Sequence, residues 1–134
     1  MGLFSRAPRS RFPADMVRWL EIFGRHSLDP QRSGIDGGDL WSRLAPLHEY
    51  CGSDREGFLA ELAAVVAGDR GGFATFGAAR VVWEMFSGEA LNIPAALPLI
   101  DAGIEFKLAR GLPDLMLTGY ESQRIAQLRR PGAS

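Results

Sequence analysis

The chain has 134 residues, of which 46% are hydrophobic and 23% charged, and its formal net charge is −1. That is the size of one domain, able to bury about two thirds of the surface its unfolded form exposes, with the composition of a globular protein. Near-neutrality excludes an overall field that would recruit nucleic acid or an anionic membrane, and the single cysteine, Cys51, excludes an intramolecular disulfide framework and a multi-thiolate metal site.

Of the 15 basic residues, Lys107 alone is lysine and the rest are arginine. Beside abundant Ala, Gly and Leu, this bias is what a GC-rich genome produces, so the sequence points to a bacterial source and a reducing cytoplasm. Residues 1–11 read as a basic tail. They hold no apolar run long enough for a signal-peptide core, and Arg6 stands where a myristoylation signal needs Ser or Thr.

Pro13 suits a first helical turn, and Ala14 to Arg25 carries Met16, Trp19, Leu20 and Phe23 at helical spacing. A loop rich in Asp, Pro, Ser and Gly follows, and Asp36 is placed to cap a second helix with Leu40, Trp41, Leu44 and Leu47 inward. Pro46 predicts a stop or kink near Arg43 to Ala45, because it removes a backbone donor at a cost of about 3 kcal/mol in a regular helix. Ser53 and Glu56 form a capping-box pattern opening a third helix, buried through Phe58, Leu59, Leu62, Val65 and Val66 and closed by Gly68.

The stretch from Phe73 to Ser87 is apolar around most of its circumference, with Arg80, Glu84 and Ser87 on one narrow stripe. It is too short and too charged to span a membrane, so it is the expected centre of the domain, hairpinned against the third helix. A fifth helix over Pro94 to Arg110 has two apolar faces, one with Leu97, Ile100, Ile104 and Leu108 and one with Leu99 and Phe106. Pro98 belongs in its first turn and Gly111 at its end, and Thr118 with Glu121 starts a last helix through Ile125 and Leu128. The fold class is therefore all-α: a compact single-domain bundle of five to six helices around a central apolar helix at about 73–87, spanning 12–130, with residues 131–134 a disordered end.

Chemistry-bearing patterns are sparse. Over Asp29 to Leu40, Asp29, Gln31, Ser33 and Gly34 match the opening half of a calcium-binding helix-loop-helix, but Asp39 comes one residue before the terminal acid should. His48 and Cys51 lie one helical turn apart, and with Asp101 and Glu105 offer a set for a small metal-dependent hydrolase using His48, Asp101 and Glu105. No Gly-rich phosphate loop, nucleophile elbow or paired His motif occurs, and the terminal arginines lack interleaved aromatics for nucleic acid.

The leading expectation is a non-enzymatic protein-interaction module: an adaptor, an accessory subunit or a toxin-neutralising immunity protein. It assigns no catalytic residue, cofactor or metal, no nucleic acid and no membrane, and its partner is another protein or a second copy of the chain. The contact residues it selects are Leu112, Leu115, Met116, Leu117 and Tyr120, an apolar and aromatic run between turn residues. The hydrolase and the degenerate calcium loop stand as alternatives.

Overall fold

The structure, a computed structural model, describes residues 12, 15–29, 34, 36–111 and 119–129. They form six α-helices, α1 (Met16–Leu28), α2 (Gly37–Ser53), α3 (Arg55–Asp69), α4 (Phe73–Phe86), α5 (Leu97–Ala109) and α6 (Gly119–Arg129), with a 3₁₀ segment at Ser87–Asn92. The fold is an all-α bundle, without strands among the described residues. No helix among those residues is long and apolar enough to cross a membrane.

Helices α1, α2 and α3 bury most of the stripe their periodicity predicts, whereas Leu128 of α6, expected inward, is 58% exposed. Met16, Leu20 and Phe23 of α1, Leu40, Leu44 and Leu47 of α2, and Phe58, Leu59 and Leu62 of α3 are buried in one core. Each such side chain contributes about 1.5–3 kcal/mol relative to exposure. Phe12 closes one corner, edge-on to Tyr50 at 5.7 Å, while the Tyr50 hydroxyl donates to Glu61 Oε1 at 2.8 Å.

The helix α4 sits at the centre, packed against α1 most extensively and also against α5 and α3. From Ala74 to Val82 every residue of it but Arg80 is buried: Ala74, Thr75, Phe76, Gly77, Ala78, Ala79, Val81 and Val82. Small residues permit this. A Cβ on Gly77 would overlap the Leu20 carbonyl oxygen and lie 2.8 Å from its carbon, and one on Gly24 would overlap the carbonyl oxygen of Phe73. At that crossing α1 and α4 touch backbone to backbone. On the other side, a Cβ on Gly103 of α5 would come 2.5 Å from that of Ala79.

The head of α4 is capped from outside its own turn. Gly72 at the N-cap has no side chain to offer, and Asp69 at the end of α3 supplies the acceptor. Its Oδ2 accepts from the Thr75 amide at 2.8 Å and the Thr75 hydroxyl at 2.9 Å. The turn between is tight enough to place Arg70 and Gly71 in the left-handed region, with φ 53° and 80°.

Several expectations are corrected. Pro46 neither stops nor divides α2, which runs unbroken from Gly37 to Ser53. Pro46 and Ser42 are both exposed, so the Ser42 carbonyl deprived of its amide faces solvent, while buried Leu44 and Leu47 hold the helix on the other side. The cap of α3 is Asp54, accepting from the Gly57 amide at 3.0 Å, and Ser53 Oγ instead donates to the Tyr50 carbonyl. The left-handed cap that ends α3 is Arg70, two residues past Gly68. The central helix ends at Phe86, one residue early, because Ser87 has φ 50° and opens the 3₁₀ segment. Leu108, expected in the core, is 55% exposed.

Candidate interaction surface

Leu112, Leu115, Met116 and Leu117 lie outside the described residues, as does the side chain of Tyr120, whose backbone belongs to the first turn of α6. What the structure does describe is the end of the bundle flanking that segment, where α5 finishes and α6 begins. Two ion pairs set the direction of α6. Lys107 Nζ meets Glu121 Oε1 at 2.6 Å, and Arg124 grips Asp101 with Nε to Oδ1 at 2.7 Å and Nη2 to Oδ2 at 3.0 Å. The start of α6 thus lies beside the end of α5, making the two helices antiparallel.

The Lys107–Glu121 pair is almost wholly removed from water, with side chains 5% and 2% exposed. Lys107 Nζ also stands 5.4 Å from the centroid of Phe76, so its positive charge faces both a carboxylate and an aromatic ring. For a buried pair of this kind the cost of desolvating both charges offsets much of their mutual attraction. The Arg124–Asp101 pair is bidentate, and its hydrogen bond raises the Arg124 pKa above the ordinary arginine value, burial opposing the rise and the Asp101 charge adding to it.

At the same end, aromatic rings from α4 and α5 stack against arginines. Phe76 and Phe106 are parallel, 4.9 Å apart at 8°, and Phe73 meets Phe106 edge-on at 5.2 Å. The Arg110 guanidinium, just past α5, lies 3.7 Å over Phe106 and 5.0 Å from the centroid of Phe73. Arg25 from α1 lies 4.1 Å from that same Phe73 ring. Arg110 Nη1 further donates to the Gly71 carbonyl at 3.4 Å, tying it to the turn that carries exposed Arg70. The outcome is an exposed guanidinium pair held on a partly buried ring, joining α1, α4 and α5.

The remaining sequence candidates are dispersed. His48 is exposed on α2 with its ring 6.0 Å from that of Trp41. Cys51 is half-buried, and burial pushes its thiol pKa up, the nearby Arg55 charge opposing. Asp101 is engaged by Arg124, and Glu105 is exposed. Among the described residues, no three His, Cys, Asp or Glu side chains gather closely enough to hold a metal ion, and His48, Asp101 and Glu105 are not brought together. Of the calcium-like loop, positions 30–33 and 35 lie outside the described residues, so Gln31 and Ser33 do as well. Asp36 accepts from the Gly38 amide at 3.3 Å as the cap of α2, and Leu40, at the position where a terminal acid would bind, is fully buried.

Periodicity had no means of finding the Arg25–Phe73–Arg110 cluster, since its members come from three helices. For the Lys107–Glu121 pair there was one signal, a lone lysine in a chain otherwise using arginine. No protein-family model, no curated protein and no solved structure matches the chain.

Proposed function

We propose that this protein is a non-enzymatic interaction module that binds another protein through the end of the bundle bearing Arg25, Phe73 and Arg110. The observation that carries the reading is the pair of exposed guanidinium groups at 4.1 Å and 5.0 Å from one ring centroid. Arginine and aromatic side chains are the residue types that dominate contact energies at protein interfaces. Stacking reduces the rotamer entropy that long side chains otherwise lose on binding. Here three helices hold the contact groups in place before any partner arrives.

The arginine bias, the half-buried single cysteine and the absence of a membrane-spanning helix among the described residues support a bacterial, cytoplasmic adaptor, accessory subunit or toxin-neutralising partner. The apolar run Leu112 to Tyr120 follows Gly111 directly in sequence and adds apolar and aromatic residue types suited to contact.

The test is quantitative capture from extracts of the native host with the full chain and with an Arg25→Glu/Arg110→Glu variant. The expected result is one companion at near-equal stoichiometry on the wild type and its loss on the variant. Identical protein sets on both baits contradict the reading. Size-exclusion chromatography of the purified protein identifies the case in which the companion is a second copy.

A further inference from the structure

We propose that the partner's contact segment is acidic, and that its carboxylates are received by the guanidinium groups of Arg25 and Arg110. This rests on the interaction reading above and names the chemistry of the occupant. Standing over a single ring, the two guanidinium carbons are closer together than the Debye length of about 10 Å at 0.1 M salt, so their fields reinforce one another.

Most other cations described in this part of the fold already have an anion: Lys107 has Glu121, Arg124 has Asp101, and Arg80 has Glu84. Arg110 differs. Its described polar contact is to a neutral carbonyl, that of Gly71, and no carboxylate among the described residues pairs with it. The pair between Arg25 and Glu21 is a long 3.4 Å contact one helical turn apart, with both side chains about half exposed, the kind that exchanges readily for another partner. Asp69, the other acid nearby, is spent on Thr75 at the head of α4.

Stacking also decides which edge is offered. With a face of Arg110 covered by Phe106 at 3.7 Å, its N–H donors project around the rim of the plane, where a carboxylate can be met by two parallel hydrogen bonds. Exposed Arg70, on the turn whose Gly71 carbonyl Arg110 holds, adds a third positive charge to the same end. Nucleic acid is the less favoured occupant. It needs a stripe of basic residues tracking a backbone, whereas here Glu21 and Asp69 interrupt the patch and the whole chain has a net charge of −1.

The experiment uses the full chain labelled with ¹⁵N and follows the arginine Nε–H signals during titration with a poly-glutamate peptide, then with an oligothymidylate. The expected result is movement of the Arg25 and Arg110 signals with poly-glutamate, and affinity that falls steeply as salt is raised from about 0.05 M to about 0.5 M. Arg110→Gln should weaken binding about tenfold, the loss of one charge-assisted carboxylate contact. Arg25→Gln should do the same and serves as the second variant if loss of stacking on Phe106 unfolds the first. Arg43→Gln, whose guanidinium stacks on Trp19 at 5.2 Å, should leave affinity unchanged.

Equal binding by wild type and both cluster variants, unmoved Arg25 and Arg110 signals, or tighter binding of oligothymidylate overturns the proposal. If host capture depends on Arg25 and Arg110 while poly-glutamate leaves their signals still, the surface stands and its acidic occupant falls. If capture fails as well, the interaction reading falls with it.

Discussion

Adding one methyl group at Gly77 should separate the two helices on which the bundle depends. The new Cβ would overlap the Leu20 carbonyl oxygen, lie 2.8 Å from its carbon and 3.2 Å from the Gly24 amide nitrogen. All three are backbone atoms, so no rotamer change relieves the clash and α1 must move away from α4. Overpacking of this kind costs about 1–3 kcal/mol even where side chains can yield. A rigid separation of about 1 Å also forfeits up to half of each dispersion contact along the crossing. Against this stands the helix propensity that alanine gains over glycine, about 1 kcal/mol. The net expectation for Gly77→Ala is a loss of about 2–4 kcal/mol, near 10 °C in Tm for a domain of this size. Gly68→Ala is the control, because Gly68 in α3 has open space around its missing Cβ and should gain the propensity term, about 0.5–1 kcal/mol, undiluted. Urea denaturation followed by circular dichroism reads both, with an unchanged slope showing that the unfolded state is not responsible. A Gly77→Ala protein as stable as the Gly68→Ala protein would refute the close crossing.

Further experiments probe the ion pair, the unbroken α2 and the Cys51 thiol. Lys107→Met and Glu121→Gln, each leaving a buried partner without its counter-charge, should lose about 3–5 kcal/mol apiece, while the double variant Lys107→Met/Glu121→Leu recovers most of that; single variants within about 0.5 kcal/mol of wild type in urea melts would show the pair to be solvated. Pro46→Ala should raise stability by about 1–3 kcal/mol, since the exposed ring contributes no core contact and the lost backbone hydrogen bond is restored; a drop in Tm would mean that the ring is packed. For Cys51, burial raises the thiol pKa above its ordinary value, the Arg55 charge opposing, so reaction with a disulfide reagent at mildly alkaline pH should be slower in native than in unfolded protein. The folded state holds that proton more tightly, so the associated stability is intact below the ordinary thiol pKa and is lost as pH rises towards the raised value. Native labelling at the unfolded rate would contradict the burial.

The helices were legible because large apolar residues recur at helical spacing, and Phe73 to Phe86 most of all, since almost nothing polar interrupts it. Less legible was how α4 is enclosed. Large residues such as Trp83, Met85 and Phe86 drew the eye, yet they are only partly buried, whereas Ala74, Gly77, Ala78 and Ala79 are buried almost completely. A single-chain pattern cannot show that Gly24 faces Gly77, because that match exists only once two helices cross. Leu108 is exposed where periodicity placed it inward, and neighbouring Lys107 is buried, for a similar reason. Phe76 and Glu121, distant in sequence, supply the ring and the carboxylate that make burial of Lys107 tolerable. The cap of α2 was legible at its own residue, Asp36, while that of α3 was missed by one residue, Asp54 in place of Ser53, because both side chains can accept from a helical amide and the choice lies in local backbone geometry. The surface at Arg25, Phe73 and Arg110 was invisible in the same sense as the glycine crossing, being assembled from three helices.

Amide hydrogen exchange on the native protein tests the account most directly, because it ranks the helices by the free energy needed to open them. If α4 is the enclosed centre, the amides of Ala78 to Val82 exchange last and at the rate of global unfolding. Those of α6, a short polar helix docked chiefly by two ion pairs, exchange earliest among the helices. Exchange of the α4 amides as fast as those of α6 would contradict it.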